Sequence, residues 1–367
     1  MFKTLSAVLS GLAFALPHSA SAATTAEESA ADVPEASGDS QTSAETWKSE
    51  KRQAALRVQL FLDREGFGPG KIDGRWGGFT QKAAERWNES GKDLKIAITG
   101  DGELDLSKIA EIPSSGGMTT IYVPTGQDQA ILGPLPDGPE QMAKLKGLPY
   151  SSLMELLAEK FHADPDFIRE INGLEPGAAI EVGTRIQVPN VAEPFDIAEP
   201  IQLAKVTAEE KAAEAEAGES GEAAGDETEQ PGSDLELTVL RDQRVVEVRE
   251  AGKLIHSFPI SPGANDNRSP AGEWKVSVVS WMPEFRWDKS MLEDGERSGD
   301  AHLLPPGPNN PVGIVWIGIT ADGIGLHGTP FPDAIGRNRS HGCIRLSNWD
   351  ALTLGKAVTA GTRVIVK

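Results

Sequence analysis

From Asp234 to the C-terminus the hydrophobic positions alternate with polar ones. Leu235, Leu237 and Val239 share one phase, and Val246 and Val248 share the next, with Asp242-Gln243 and Ala251-Gly252 marking turns before Leu254 to Ile260. A period of two is the signature of half-buried β-strands. Residues 271 to 281, 312 to 319 and 324 to 327 extend the strand series. Asn348 is placed to cap a helix from Trp349 to Val358, and Gly361 turns the chain into a closing strand from Thr362 to Val366. The stretch between residues 281 and 312 carries Met282-Pro283, Trp287 and Leu303 to Pro311. It is too long and polar for a tight turn and is a candidate lid.

Upstream the period is helical. Over residues 47–90, Leu56, Leu60 and Phe61 form one apolar stripe, widened by Val58 and Leu62, and Phe79, Ala83, Ala84 and Trp87 form another. Gly66-Phe67-Gly68-Pro69-Gly70 separates the two, and Asp73-Gly74 and Gly77-Gly78 predict turns. Residues 91–147 are rich in Gly and Pro and predict a loop-rich connector, with Ile96, Ile98 and Ile121 to Val123 as candidate short strands. Over residues 148–190, Ser152 and Glu155 predict a capping box before Leu153, Leu156, Leu157 and Phe161. Asp164-Pro165 predicts the start of a second helix carrying Phe167, Ile168 and Ile171, and Asn172-Gly173 its end. A short strand with Ile186 and Val188 precedes Pro189.

Residues 191–233 predict an acidic flexible linker. From Thr207 to Gln230 the linker is nearly all Ala, Glu and Gly; helical patches are open to it, but with no apolar face self-repulsion predicts an extended spacer. At the other end, Lys3, the apolar run Leu5 to Leu16 and Ala20-Ser21-Ala22 make residues 1–22 a secretory signal peptide, with an N-terminal anchor as the alternative. No cysteine follows the expected cleavage site, which excludes a lipid anchor there. Residues 23–46 predict a disordered tether.

The chain has 367 residues and a formal charge of −20, which leaves room for several domains and argues against a nucleic-acid partner. No further stretch reads as a membrane span. The single cysteine excludes an internal disulfide. A lone thiol in an exported chain is either a buried small hydrophobe or a reactive group.

The surroundings of that cysteine favour reactivity. His327-Gly328-Thr329 ends a predicted strand, and Ser340-His341-Gly342-Cys343-Ile344-Arg345-Leu346 follows. A thiol attacks as thiolate, and an imidazole that takes its proton and stays beside it as a cation would supply one. Two elements meeting in one sheet can join His327 to Cys343. His341, two positions away, points elsewhere and suits loop orientation or a substrate hydrogen bond. Gly342 lets the backbone approach a carbonyl, so the amides of Gly342 and Cys343 can form an oxyanion hole. Arg345 suits a substrate carboxylate or, alternatively, an internal salt bridge.

Three family resemblances organise these readings. The run from Leu56 through Asp73-Gly74-x-Trp76-Gly77 to Ala83 resembles the peptidoglycan-binding domain of cell-wall enzymes, which implies a three-helix bundle that binds glycan or peptide stems. The run from Leu157-Ala158-x2-Phe161 through Ile171-Asn172-x-Leu174 to Val188-Pro189 resembles a LysM module, a βααβ unit that binds glycans containing N-acetylglucosamine. Its first strand is weak, because Tyr150 sits almost directly on the helix. Residues 234–367 resemble the L,D-transpeptidases with a YkuD-type catalytic domain. That resemblance rests on His327-Gly328-Thr329, Ser340 to Asn348, Ser269-Pro270-Ala271-Gly272-Glu273-Trp274, Leu304 to Pro308, Asn310-Pro311, Trp316-Ile317-Gly318 and Ile335-Gly336-Arg337.

Together these imply a multidomain α+β protein whose catalytic domain is mainly β. The YkuD resemblance implies a triad of Cys343 as nucleophile, His327 as base and the Gly328 carbonyl as orienter, with Ser340, His341, Gly342 and Arg345 around the substrate. It implies no cofactor and no metal. The implied partners are peptidoglycan stem peptides and glycan strands, in the periplasm or cell wall, with a wall-attached protein among the acceptors. The implied reaction forms a thioester on a tetrapeptide stem, releases D-Ala and transfers the acyl group to an amine. A thiol hydrolase on the same stems and a non-catalytic wall-binding protein are the alternatives.

Overall fold

The structure, a computed structural model, describes residues 47–114, 116–219, 234–263, 270–293, 297–337 and 343–367. The expected signal peptide and tether, and the linker from residue 220 to 233, lie outside the described residues. The described residues hold together as one compact unit. No helix among the described residues is long and apolar enough to cross a membrane.

Helix α1 (Glu50–Arg64) starts at Ser49, whose hydroxyl accepts from Arg52 N at 3.4 Å, and Glu50 and Arg64 complement the dipole at its two ends. Helix α2 (Gly78–Glu89) packs against it through Trp87, which meets the ring of Phe61 edge-on at 4.8 Å. Gln59, buried on α1, holds the Asp73-Gly74 turn: its Oε1 accepts from Gly74 N at 2.8 Å and its Nε2 donates to Asp73 Oδ1 at 2.8 Å. The next helical piece is a 3₁₀ turn at Leu106–Glu111, beyond the expected boundary at residue 90.

Helices α3 (Leu153–Lys160) and α4 (Pro165–Asn172) form the second unit. Ser152 accepts from Glu155 N at 3.2 Å, but the Glu155 carboxylate bonds Ser151 N at 2.8 Å, so the capping box closes one residue early. Asp164 caps α4, and Gly173 ends it in the left-handed region at φ 60°. Strand β2 (Ile186–Pro189) pairs antiparallel with β1 (Thr119–Tyr122). Strand β1 lies in the stretch expected to be connector, overlapping the candidate strand Ile121 to Val123, and the short helices Gly126–Ala130 and Pro139–Met142 separate it from α3. Proximity in sequence to α3 misled the reading around Tyr150, because the strand and its helix are separated by a long excursion.

Helix α5 (Ala198–Glu219) occupies the first half of the expected extended linker. Alanine and glutamate are strong helix formers, and a helix needs no apolar face when one end is anchored. Lys356 supplies part of that anchor through an ion pair with Glu199 at 2.7 Å.

The C-terminal part carries strands β3 (Leu235–Leu240), β4 (Val245–Glu250), β5 (Lys253–Pro259), β6 (Gly272–Trp281), β7 (Phe285–Trp287), β8 (His302–Leu304), β9 (Val315–Ile319), β10 (Gly325–His327), β11 (Ile344–Arg345) and β12 (Arg363–Val366). Their main sheet runs in the order β11-β10-β9-β6-β12-β3-β4-β5. Pairs β10–β11 and β12–β3 are parallel and the rest antiparallel. Beyond β5 the chain reaches back to β11, where Ser261 and Arg345 exchange backbone hydrogen bonds at 2.9 Å, so the sheet curls toward closure. Helix α6 (Asn348–Ala357) packs on β9. Its cap is Ser347, which accepts from Asp350 N at 3.2 Å, and Asn348 is its first residue rather than its cap. The candidate lid forms a β7–β8 hairpin.

The units are docked rather than strung on tethers. Gly68 N donates to Ser257 O at 2.7 Å, adding the helical unit to the outer edge of β5. Ile72 N donates to His162 O at 2.8 Å and Asp164 N to Ile72 O at 3.0 Å, joining the first two units. Arg52 adds a bidentate pair with Glu170 at 3.0 and 3.2 Å. A single hydrophobic core runs from Leu157, Phe161 and Ile168 to Ile314, Leu346 and Trp349. Burial of this size at a junction makes independent motion of the units costly.

Candidate active site

Sheet register builds the site. His327 lies opposite Trp316 on β9 and opposite Arg345 on β11. Residues in register share a face, so Trp316, His327 and Arg345 stand side by side on three neighbouring strands. Cys343 is two residues before Arg345, which brings it to the same face. Two motifs distant in sequence thus meet because β10 and β11 pair in parallel.

His327 is buried, and the indole of Trp316 stacks on its ring at 5.7 Å between centroids and 20° between planes. Its Nδ1 lies 2.6 Å from the Gly328 carbonyl oxygen. A carbonyl only accepts, so Nδ1 carries the hydrogen and Nε2 is left as the basic nitrogen. Burial pushes the imidazole down to about 4, assisted by the Arg345 charge and opposed by the Gly328 bond.

The Cys343 side chain is half-buried, with its Sγ 3.7 Å from the Gly323 carbonyl oxygen. Burial pushes the thiol up, while the Gly325 amide and the Arg345 guanidinium favour its ionised form. Burial thus pushes both groups toward their neutral forms. Desolvation at this depth opposes the expected pair of thiolate and imidazolium, while Arg345 favours the thiolate. Burial also holds the Arg345 guanidinium below its usual value, and the Cys343 sulfur offsets that. The described residues show no ion pair at Arg345, which sets aside the internal salt bridge among them.

The Gly328 peptide is itself held. Its N–H donates to Val315 O at 3.2 Å, and the His327 carbonyl accepts from Leu346 N at 2.8 Å. A Cβ on Gly328 would overlap Asn348 Oδ1, so only glycine fits there. Trp316 and Asn348 were not singled out by sequence reasoning as site residues. The signal was available in the Trp316-Ile317-Gly318 and Ser347-Asn348 motifs, but their roles depend on neighbours from other elements.

Ser340, His341 and Gly342 lie outside the described residues, so the structure brings together Cys343, His327, Gly328 and Arg345 of the expected set. Among the described residues no group of His, Cys, Asp and Glu side chains is gathered as a metal site. The segment between His327 and Cys343 is anchored by the N-terminal unit. Lys71 pairs with Asp333 and Asp164, and the Phe79 ring packs on the backbone of Gly336.

The site thus holds a thiol, an imidazole bonded to a backbone carbonyl and a neighbouring guanidinium on a curled and mainly β sheet. Residues 237–366 match the family model of the YkuD L,D-transpeptidase catalytic domain. This part of the chain is an L,D-transpeptidase catalytic domain of the YkuD type. The chain is 32% identical over 136 residues to the putative L,D-transpeptidase YqjB of Bacillus subtilis, covering 36% of this chain and 65% of that protein. It is 32% identical over 117 residues to the probable L,D-transpeptidase ErfK/SrfK of Escherichia coli, covering 30% of this chain and 36% of that one. The chain thus spans less than two thirds of these relatives. Among solved structures, L,D-transpeptidase 3 from Mycobacterium tuberculosis with a faropenem-derived adduct aligns with a TM-score of 0.30 at 24% identity, covering 36% of this chain and 60% of that one.

Proposed function

We propose that the protein is an exported L,D-transpeptidase that cross-links peptidoglycan stems. The observation that carries this is the 2.6 Å bond from His327 Nδ1 to the Gly328 carbonyl, which leaves Nε2 basic on the face that carries Cys343. In the reaction, Cys343 Sγ attacks the carbonyl carbon at the L-centre of the third stem residue while its proton passes to His327 Nε2. The tetrahedral oxyanion collapses, the bond to D-Ala breaks, and His327 returns the proton to the departing amine. The thioester is then attacked by an amine of a second stem, which gives up a proton to His327 and releases the Cys343 thiol. The Gly342 and Cys343 amides are the proposed oxyanion donors, with Ser340, His341 and Arg345 around the stem.

The N-terminal peptidoglycan-binding-like and LysM-like units are proposed to hold glycan strands and stems near the cleft. The signal peptide directs the chain to the periplasm or cell wall. Incubating the protein with tetrapeptide muropeptides and weighing the products tests the reading. Dimers with loss of D-Ala are expected from the wild type, and none from Cys343→Ala. Loss of D-Ala without dimers would replace transpeptidation by hydrolysis, and dimers from Cys343→Ala would overturn the mechanism.

A further inference from the structure

The loop Leu304 to Pro311 of the catalytic domain is gripped from outside that domain. Leu148 N donates to Pro306 O at 2.9 Å, and Asn309 N donates back to Leu148 O at 3.3 Å. Asn309 Nδ2 adds bonds to Pro149 O at 2.7 Å and to Glu155 Oε1 at 2.6 Å. Gly307, at φ 150°, lies so close that a Cβ there would stand 2.7 Å from Leu148 N.

The same loop continues inward to the imidazole. Asn348 Nδ2 donates to Pro308 O at 3.3 Å, and its Oδ1 accepts from Ile314 N at 3.3 Å. That Oδ1 is wedged between the α-carbons of Gly313 and Gly328, where a Cβ on either glycine would overlap it. Asn348 is 1% exposed, so displacing it means opening the core. Glu159 of α3 also hydrogen-bonds Asn348 and Tyr150. The Asn348 amide thus donates toward Pro308 and accepts from Ile314 at once, with the two atoms held apart by the planar group.

We propose that Asn309 and Asn348 are positioning residues that transmit docking of the 148–160 segment to the Gly328 carbonyl and thereby fix the His327 imidazole. The LysM-like unit is then a structural part of the active centre, whatever it binds. This rests on the reading of His327 as the base. Misplacing a catalytic group by a fraction of an ångström lowers rate with little change in fold.

The test compares full-length wild type, Asn309→Ala, Asn348→Ser and the double variant, with His327→Ala as reference. Three readouts apply: circular dichroism for fold, the downfield imidazole proton that the His327–Gly328 bond generates, and the rate of Cys343 alkylation by iodoacetamide against pH. Asn309→Ala is expected to keep the wild-type dichroism, broaden the imidazole resonance and slow alkylation about tenfold near neutral pH. The double variant is expected to lose no more than Asn348→Ser alone, as sites acting through one contact do. An unchanged resonance in folded Asn309→Ala, or additive losses in the double variant, would overturn the relay. If His327→Ala alkylates like wild type, the base assignment fails, and the resonance alone then decides the relay.

Discussion

His327 Nδ1 lies 2.6 Å from the carbonyl oxygen of Gly328, its own neighbour in the chain. A residue rarely bonds the next carbonyl unless that peptide is turned and held. Here Val315 O takes the Gly328 amide, and Asn348 fills the space beside its α-carbon. The tautomer of the imidazole is therefore set by packing, with no carboxylate needed.

The acid limb of activity follows from that environment. Burial holds His327 down to about 4, so the base stays neutral well below the ordinary histidine value of 6.5. The rate of stem acylation is expected to fall on the acid side around pH 4 rather than around 6.5. A limb centred at 6.5 in a pH–rate profile would show that the imidazole is not desolvated in solution.

Trp316→Ala removes the stacked indole from His327. An aromatic contact of this kind contributes about 0.5–1.5 kcal/mol, so turnover is expected to drop roughly three- to tenfold. The loss should appear with the imidazole more accessible to water and its titration moved back up, which nuclear magnetic resonance of the ring can read.

Gly313→Ala meets two obstacles. The residue sits at φ 63°, and a Cβ would lie 2.6 Å from the carbonyl carbon of Gly328 as well as against Asn348. We expect a loss of about 1–3 kcal/mol in stability together with slower Cys343 alkylation. Thermal melting and alkylation rates measured on one preparation separate the two effects.

Glu159 gives a stability prediction with a definite sign. Burial pushes its carboxyl up to about 8, from an ordinary value of 4.5. The folded state thus holds a proton that the unfolded chain releases. Its contribution is full below pH 4.5 and is lost as pH rises through about 8. Asp350, raised by burial to about 7, adds a slope of the same sign. Glu159→Gln should flatten the decline in melting temperature between pH 5 and 8 by roughly the share of one such group. An unaltered decline would mean Glu159 is solvated.

Residues 234–367 expressed alone should melt well below the full chain. Trp349 would lose the His162 ring stacked on it at 5.2 Å, and Leu346 and Ile314 would lose a core shared with Leu157 and Phe161. Equal melting temperatures would show that docking contributes little.

The alternation of Leu235, Leu237, Val239, Val246 and Val248 was enough to place β3 and β4, because strand periodicity is a local property. The motifs around His327 and Cys343 pointed to a candidate nucleophile and its partner by residue type. A strand at Ile121 and Tyr122 was legible, but its pairing was not, since the partner lies more than sixty residues away, and neither was the length of the helix over the Ala- and Glu-rich linker, which needs an anchored end. The neutral state of His327 and Cys343 was equally out of reach, because desolvation depends on what covers a side chain.

The sequence by itself thus determined the chemistry available: the one thiol of the chain, the two His-Gly pairs at His327 and His341, Arg345, and strands to carry them. Tertiary structure alone decided that β10 and β11 pair in parallel to bring His327 and Cys343 together, and that the N-terminal units pack into the same core. Pairing and burial are relations between distant segments, set by the register of the sheet and the shape of the interfaces, and no local pattern encodes them.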